Sequence, residues 1–355
     1  MNRRNGAASV GTPACPIPSP KSEVIVLGHG SGGRLTAELV RNVFLSALTN
    51  PVLDRLNDGA ELRLGSNRLV FTTDSFVVSP LRFPGGDIGS LAVNGTINDL
   101  AVMGAQPLGL SAAFILEEGF AIRDLRPIVQ SMRDAADCAG VSVVTADTKV
   151  VEHGKADGLF ITTSGIGVIP DGVQLDPTQV RPGDAILVSG PIGDHGIAVM
   201  SAREGLEFQT TVISDCASLH GLVASMLETE GAIRCMRDAT RGGIATVINE
   251  LAQGASAEIT IEEPAVPVRD GVRAACEILG LDPLYVACEG RLVAIVDGGN
   301  AEDVVAVMRR HPLGAETRRI GSVTKKGQGR VLLRTAFGTT RLLNILEGAQ
   351  LPRIC

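Results

Sequence analysis

The residue with the clearest chemical potential is the last one, Cys355, which closes the pentapeptide Leu351-Pro352-Arg353-Ile354-Cys355. A thiol at the end of a chain can act as a nucleophile, as a carrier of a bound group or as a point of lipid attachment. Prenylation requires a cysteine four residues from the end, which disfavours the lipid alternative. A frayed terminus that happens to end in cysteine is the other alternative, because disorder concentrates at termini.

Two aspartates lie in apolar, strand-like segments next to hydroxyl side chains. Asp74 lies within residues 68–78, and Asp147 is followed directly by Thr148 and Lys149. A carboxylate in an apolar strand is costly unless it is paired or bound to a metal. Together the two aspartates can hold Mg²⁺ on phosphate oxygens, and Lys149 can bind a phosphate or act as a base. An aspartate in a turn at the end of a strand is the alternative for Asp74.

A glycine-rich loop near the start of the chain reads Gly28-His29-Gly30-Ser31-Gly32-Gly33-Arg34 and precedes apolar residues at helical spacing. The amides of such a loop, with the start of a helix, form an anion site, to which we expect Gly30, Gly32 and Gly33 to contribute. The glycines also match the dinucleotide pattern G-x-G-x-x-G, but no acidic residue closes a second strand about 20 residues later. A turn without a ligand is the other alternative.

Further polar residues accompany predicted helices. Apolar spacing predicts a helix over residues 88–103, on which Asn94, Asn98 and Asp99 alone indicate a solvent-exposed face. A second-half loop, residues 190–196, reads Gly-Pro-Ile-Gly-Asp-His-Gly before another helix. Asp238-Ala239-Thr240-Arg241-Gly242-Gly243 opens a further helix, and Glu289 follows Cys288, which we expect to be a small buried apolar residue.

The composition limits the protein class. The chain is 45% hydrophobic with one Tyr and no Trp, so its core must be aliphatic. Its net charge of −7 argues against binding nucleic acid or an anionic membrane surface. Seven scattered cysteines without a CxxC pattern favour a reducing, cytoplasmic location over a disulfide framework or a structural zinc site. No apolar run has the length of a membrane span.

Strands alternate with helices in both halves, which predicts an α/β or α+β protein with two domains. The proline-rich residues 1–22 are expected to be a disordered leader. We place the first domain at residues 23–170 and the second at 171–336. Residues 337–355 then form a mobile tail, with an apolar anchor at 342–346 and a hinge at 347–350.

Taken together, the motifs resemble the PurM-like superfamily of aminoimidazole ribonucleotide synthetase, selenophosphate synthetase and thiamine-monophosphate kinase. The motifs that carry the resemblance are Gly28 to Gly33, Thr72-Thr73-Asp74-Ser75, Val93 to Ala105, Asp147-Thr148-Lys149 and Asp238 to Gly243. The resemblance implies two α+β domains, a homodimer paired through strands of the first domains, and ATP with Mg²⁺ in the cleft.

The terminal residues Pro352 to Cys355 resemble those of the HypE family, the carbamoyl dehydratases of nickel–iron hydrogenase maturation. This implies that a carbamoyltransferase, HypF, carbamoylates Cys355. The S-carboxamide then loses water at the expense of ATP and becomes an S-cyanide, which passes to iron on a HypC–HypD scaffold. A selenophosphate synthetase would have a reactive cysteine or selenocysteine in the glycine-rich loop, whereas this loop carries His29. This difference argues against a selenophosphate synthetase.

On this resemblance the expected site residues fall into three groups. The expected metal ligands are Asp74, Asp147 and Asp99. The nucleotide is expected to contact Gly30, Gly32, Gly33, Asp74, Asp87, Asn94, Asp147, Thr148, Asp238 and Arg241. The expected catalytic residues are Cys355, Lys149, Glu289 and Asn98.

Within the catalytic group, Asn98 would orient the carboxamide. The base is Lys149, Glu289 or His153, which the sequence does not rank. The alternatives are a small-molecule kinase in which Cys355 is incidental, and a nonenzymatic nucleotide-binding scaffold.

Overall fold

A computed structural model describes residues 24–205, 212–346, 348, 351 and 353–355. The leader expected at residues 1–22 and most of the hinge expected at 347–350 lie outside the described residues. Among the described residues, no helix combines the length and hydropathy that crossing a membrane requires.

The first half is built on a five-stranded sheet with the order β1-β2-β7-β5-β6. Its strands are β1 (Ala60–Leu64), β2 (Asn67–Phe76), β5 (Gln106–Glu117), β6 (Val143–Val151) and β7 (Leu159–Ile169). β3 (Arg82–Phe83) and β4 (Gly86–Asp87) form a separate small hairpin. The helices are α1 (Arg34–Leu39), α2 (Leu45–Leu48), α3 (Ile88–Val102) and α4 (Ile122–Cys138).

The second half has a seven-stranded sheet with the order β14-β13-β10-β12-β8-β11-β9. Its strands are β8 (Ala185–Val188), β9 (Ile233–Asp238), β10 (Ala257–Glu262), β11 (Leu292–Val296), β12 (Arg318–Lys326), β13 (Arg330–Arg334) and β14 (Thr340–Leu342). The helices are α5 (Asp194–Glu204), α6 (His220–Leu227), α7 (Gly243–Gly254), α8 (Asp270–Leu279) and α9 (Ala301–Arg310).

Strand β11 shows why this half folds as a layered structure. All five of its aliphatic residues are buried, which is expected of a strand with both faces covered. Val293 and Ile295 belong to the core that includes α7, whereas Leu292 and Ala294 belong to the core that includes α6 and α9. A continuous aliphatic run therefore indicates a central strand between two helical layers.

Helix α3 is buried almost throughout, so the solvent-exposed face predicted for it is wrong. Asn94 is 7% exposed and Asn98 is 1% exposed. One side of the helix packs on β2, β7 and α4, and its end contacts α6 and β9 of the second half. The polar residues of α3 therefore lie between the two halves, where spacing within one helix cannot place them.

The chain end is anchored further along than the boundary expected at residue 337. β14 pairs with β13, and Leu343 is buried in the core of the second half. Asn249 donates a hydrogen bond to the carbonyl oxygen of Leu343 (2.9 Å), and the main-chain nitrogen of Arg34 donates to that of Leu346 (2.8 Å). The described residues up to Leu346 thus remain anchored to the folded halves.

Candidate active site

The last residues of the chain lie in the cleft between the two halves. The main-chain nitrogen of Val77 donates to the carbonyl oxygen of Cys355 over 3.1 Å, and that of Ser79 donates to Arg353 over 3.2 Å. Arg353 Nε in turn donates to the carbonyl oxygen of Val77 (3.0 Å). The tail therefore lies beside the segment that follows β2, and the two are joined by main-chain hydrogen bonds like those between neighbouring strands.

Two side chains fix the direction of this terminal segment. Arg353 has a φ of 52°, in the left-handed region that is unfavourable for a non-glycine residue, and its guanidinium binds Asp157 at 2.6 Å. Ile354 is 3% exposed and joins the core that contains Phe83, Val199 and Ala287. The turn at Arg353 and the burial of Ile354 bring Cys355 to the interior of the cleft.

The surroundings of Cys355 are enclosed and mainly acidic. A cavity of about 170 Å³ is lined by Cys355, the glycine-rich loop and the start of α7. Burial raises the pKa of the Cys355 thiol, and the nearby charge of Glu289 raises it further, while Arg241 opposes both effects. In this position the thiol is neutral at physiological pH and is a weak nucleophile.

Arg241 joins the glycine-rich loop to the second half. Its Nη1 donates to the carbonyl oxygen of Gly30 over 3.2 Å. Gly32 has a φ of 76°, and a Cβ there would lie 2.9 Å from Cβ of Arg241, so this position requires glycine. The loop follows no strand in the described chain and leads into a helix of six residues, which contradicts the dinucleotide-binding alternative.

Four aspartates form an acidic cluster between the two halves: Asp238, which is buried, and Asp58, Asp74 and Asp99, which are half-buried. Burial raises the pKa of Asp99 well above its ordinary value, as do the charges of the other three; Thr72 donates to its Oδ2 over 2.7 Å. Burial and the charge of Asp58 raise the pKa of Asp238 to about 8. Burial also raises the pKa of Asp74, against the opposing charge of Arg241.

Sequence reasoning missed one residue of this cluster, Asp58, and its ion-pair partner Arg237. Asp58 lies in a loop before β1 and contacts Arg237 on β9 at 3.2 Å. Asp58 precedes a glycine, and an aspartate before a glycine usually indicates a turn. Arg237 precedes the motif that begins at Asp238 and carries no signal of its own. Only the contact between the two halves places them together.

Glu289 lies beside Cys355 and is also buried, with 3% exposure. Its Oε1 has no hydrogen-bond partner among the described residues. Burial raises its pKa well above the ordinary value, the charges of Asp238, Asp215 and Asp74 add to this, and Arg241 opposes it. A buried carboxyl group with a free oxygen and a raised pKa is typical of a catalytic acid or base.

Asn98 positions main chain and does not face the cavity. Its Nδ2 donates to the carbonyl oxygens of Ala217 (3.1 Å) and Glu289 (3.3 Å), and its Oδ1 accepts from the nitrogen of Leu219 (2.7 Å). Both amide hydrogens and one of the two acceptor positions of Oδ1 are thus used within the fold, and a role in orienting the carboxamide stays a prediction. Asn98 holds the segment that carries Glu289.

Asp87 and Asn94 also have partners within the fold. Asp87 caps α3: its Oδ1 accepts from the nitrogens of Gly89 (2.8 Å) and Ser90 (3.0 Å) and from the hydroxyl of Ser131. The capping of α3 is sufficient to explain why an aspartate occupies this position, and no contact with a nucleotide is needed. Asn94 donates to the sulfur of Cys216 over 3.5 Å, on the side of α3 that faces the second half.

Asp147, Thr148 and Lys149 lie apart from the cluster within one chain. They belong to β6, the exposed edge strand, where Lys149 pairs with Asp147 at 2.7 Å and the two side chains are 70% and 67% exposed. Asp74 lies three strands away, a distance of about 14 Å at the usual strand spacing. Asp74 and Asp147 are therefore too far apart within one chain to share an ion, and their common role as metal ligands stays a prediction that requires a second subunit. His153, beyond the end of β6, is exposed as well.

The acidic cluster suits a cation together with phosphate groups. No three His, Cys, Asp or Glu side chains in the described part of the chain are close enough to hold an ion by themselves. Mg²⁺ commonly takes one or two carboxylates and completes its shell with phosphate oxygens and water. Besides burial, the charges of neighbouring aspartates raise the pKa values of Asp99 and Asp238, which indicates a local excess of negative charge. The donor set therefore fits Mg²⁺ bound with a nucleotide.

Comparison with known proteins agrees with this architecture. Residues 56–169 match the family model of the AIR synthase related protein, N-terminal domain, and residues 181–334 match that of the C-terminal domain. The chain is 54% identical to the carbamoyl dehydratase HypE of Cupriavidus necator, over 94% of this chain and 96% of the relative.

Two solved structures are also similar. A HypE–HypF complex aligns with a TM-score of 0.83 and 46% identity, over 87% of this chain and 99% of that chain. A structure of the hydrogenase maturation protein HypE in complex with ATP has a TM-score of 0.79 and 48% identity, over 94% of this chain and 100% of that one.

The two halves and the cleft thus define a protein of the AIR synthase related, PurM-like class. Within that class, the chain belongs to the HypE family of carbamoyl dehydratases. The resemblance inferred from the motifs and the terminal cysteine is confirmed.

Proposed function

We propose that the protein dehydrates an S-carboxamide on its own Cys355 to an S-cyanide at the expense of ATP, and so supplies the cyanide ligand of nickel–iron hydrogenase. The observation that carries the proposal is the position of Cys355, which lines a cavity in the cleft together with Arg241 and is close enough to Glu289, Asp74 and Asp238 to feel their charges. A terminal cysteine with a purely structural role has no need of such surroundings.

An amide oxygen is a poor leaving group, which is the obstacle to forming the nitrile. ATP supplies a phosphoryl group that makes this oxygen a leaving group, and Mg²⁺ balances the phosphate charge. In the net reaction the S-carboxamide and ATP give the S-cyanide, ADP and phosphate, with the amide oxygen in the phosphate. Asp74, Asp99 and Asp238 would hold Mg²⁺, while Arg241 and the amides of Gly30, Gly32 and Gly33 would contact phosphate oxygens.

Glu289 is the residue that we assign as the base. Two protons must leave the carboxamide nitrogen, and Glu289 has a free oxygen beside Cys355. Burial raises its pKa, so this carboxyl group binds a proton more readily than an exposed glutamate does. Positive charge brought to the acidic cluster would lower that pKa and ionise the carboxyl group when the substrate is bound.

A homodimer would give the exposed strand β6 a function. Eight of its nine residues are exposed, including Val144 and Val150, and an apolar edge of this kind invites pairing with another strand. Pairing of two first domains through β6 would carry Asp147, Thr148 and Lys149 of one subunit toward the cleft of the other. In that arrangement these three residues can still contact nucleotide and metal, and Lys149 can act near Cys355.

Cys355 must leave the cleft between two reactions. Carbamoylation by HypF and transfer of cyanide to a HypC–HypD complex both require partner proteins to reach the sulfur. Release of Cys355 from the cleft would break the main-chain bonds of Arg353 and Cys355 to the segment after β2 and the bonds from α5 to Arg353 and Ile354. The described cysteines are all free thiols, which supports a reducing, cytoplasmic location.

Intact-mass measurement tests the proposal directly. The protein is carbamoylated by HypF, and the isolated adduct is then weighed before and after treatment with ATP and Mg²⁺. We expect a mass gain of one carbamoyl group on Cys355, followed by loss of one water only when ATP is present. An adduct on another residue, or turnover of a free substrate by Cys355→Ala, would instead support a small-molecule kinase.

A further inference from the structure

One stripe of α5 contacts Arg353 and Ile354, two of the described residues of the tail. His195, Val199 and Arg203 are spaced four residues apart and therefore share one face of the helix. We propose that this face is the docking surface for the closed tail and that His195 is a positioning residue for the thiol of Cys355. The positioning role of His195 in catalysis rests on the proposed function, whereas the docking of the tail on α5 does not.

His195 binds the residue next to the reactive cysteine. Its Nε2 lies 2.8 Å from the carbonyl oxygen of Ile354, and its Nδ1 lies 2.8 Å from Oγ of Ser214. A carbonyl oxygen can only accept, so Nε2 carries the proton and Nδ1 of the neutral ring accepts from the Ser214 hydroxyl. Burial lowers the pKa of His195, which agrees with a neutral ring.

The orientation of the ring is fixed from several sides. The side chain is completely buried, and its ring meets that of Phe83 edge to face at a centroid distance of 5.1 Å. Ser214 Oγ also accepts from the main-chain nitrogen of Cys216 over 3.0 Å, and the nitrogen of Ser214 donates to Pro84. Because Ser214 is held by both halves, the ring points at the tail only when the cleft is assembled.

The rest of the stripe binds the residues on either side of Ile354. Arg203 donates to the carbonyl oxygens of Arg353 and Ser79, each at 2.7 Å, and so bridges the tail to the segment after β2. Gly196 packs closely against Val286, with which a Cβ at this position would collide, and the same Cβ would lie 3.2 Å from the side chain of Leu351 in the tail. Val199 and Ile354 share one apolar core.

The proposed function uses no residue of the loop 190–196, although the sequence marks this loop as distinctive. The contacts of His195 and Gly196 give the loop a purpose, which is to build the first turn of α5 against the tail. Loss of the bond to Ile354 would let the thiol leave the cavity more often without altering the nucleotide site.

The test measures how fast iodoacetamide alkylates Cys355 in the full-length protein. A glutamate-specific protease releases residues 348–355, and mass spectrometry compares this peptide with the one that contains Cys138, whose exposed thiol serves as an internal reference. We expect His195→Ala to raise the alkylation rate of Cys355 relative to Cys138 about fivefold, because one buried hydrogen bond that holds the tail is lost. His195→Gln should recover part of the protection, because its amide can donate to Ile354.

His220→Ala is the matched control, because Nδ1 of His220 lies 2.8 Å from Oγ of Ser218 in a second histidine–serine pair that does not bind the tail. Protection of Cys355 should be unchanged in this variant. An unchanged rate in His195→Ala, an equal rise in His220→Ala, or no recovery in His195→Gln would each overturn the proposal. If His195→Ala does not fold, the alkylation rate of Cys355 is measured in Ser214→Ala instead. A wild-type rate in that variant would overturn the proposal.

Catalysis provides the second readout. The isolated carbamoylated form of His195→Ala should lose water more slowly than the wild type at saturating ATP, with unchanged ATP affinity. Equal rates would show that docking does not position the thiol for the reaction. If the carbamoylated wild type loses no water, the proposed function fails, while the alkylation rates still judge the docking surface.

Discussion

The main-chain nitrogen of Val77 donates a hydrogen bond of 3.1 Å to the carbonyl oxygen of Cys355, the last residue of the chain. The tail is thus paired with the segment after β2 as an added strand would be. Such pairing is specific in register, but here it involves few bonds. A segment held in this way can be positioned accurately and still exchange between a bound and a released state.

Removal of the tail is the first prediction. Deletion of residues 351–355 should abolish carbamoylation, leave ATP affinity unchanged and lower the free energy of unfolding by about 2 kcal/mol, the amount expected from burial of Ile354. Cys355→Ala is the control, because it keeps the contacts of Arg353 and Ile354 and loses only the thiol. Calorimetry and nucleotide titration check both variants, and a deletion variant that fails to fold would show that the tail is structural.

Glu289→Gln is expected to separate the two reactions of Cys355. Carbamoylation and ATP binding should persist, while loss of water should slow about 10²- to 10⁴-fold, as is usual when a general base is removed. In the wild type the rate should fall as pH decreases, because protonated Glu289 cannot accept a proton. Intact-mass kinetics provide the measurement. Glu316→Gln, on the surface beside Arg269, is the control, and equal rates in both variants would reject Glu289 as the base.

The acidic cluster predicts a pH dependence of stability. Folding raises the pKa of Asp238 from 3.8 to about 8, so the folded chain retains a proton that the unfolded chain releases. Its contribution is absent below the unfolded pKa, and stability then falls as pH rises from about 4 to about 8. Thermal unfolding of the ligand-free protein should show this slope, and Asp238→Asn should reduce it. A stability that rises over this range in the wild type and falls in the variant would contradict the assignment.

The same cluster predicts proton release when Mg²⁺ and ATP bind. Positive charge beside Asp99 and Asp238 should lower their raised pKa values, so protons leave at pH 7. Titration calorimetry in two buffers of different ionisation enthalpy measures the number released. We expect fewer protons with Asp238→Asn, and equal release in both proteins would place the cation elsewhere.

Pairing through β6 predicts complementation between two inactive variants. If Lys149 acts in the cleft of the partner subunit, Lys149→Ala and Glu289→Gln damage the same site from different chains. A mixed dimer then keeps one intact site, and equal mixing should restore about a quarter of wild-type activity. Dehydration measured after subunit exchange checks this. Mixtures as inactive as the single variants would place Lys149 and Glu289 in the cleft of one chain.

Much of the local structure could be predicted from sequence patterns. Alternating side chains predict the strand at residues 159–169, which is observed with those bounds as β7, with a regularly buried face. The terminal position of Cys355 and the glycines of the loop are properties of the covalent chain and hold in any fold. These features led correctly to the family.

The grouping of side chains within the site depended on tertiary structure. Asp74 and Asp147 lie in similar motifs, yet the strand order puts one in the cleft and the other on an exposed edge. Asn98 was expected to contact substrate, but the packing of α3 between the halves uses its amide to hold main chain.

The sequence by itself determined the family, the alternation of strands and helices, and the residue types available for chemistry. Only the tertiary structure decided that Asp58 joins the acidic cluster, that Glu289 lies beside Cys355 and that His195 holds the tail. The physical reason is range: backbone propensities and side-chain periodicity act over a few residues. These contacts instead join segments far apart in the chain, which the order of the strands and the packing of the two halves bring together.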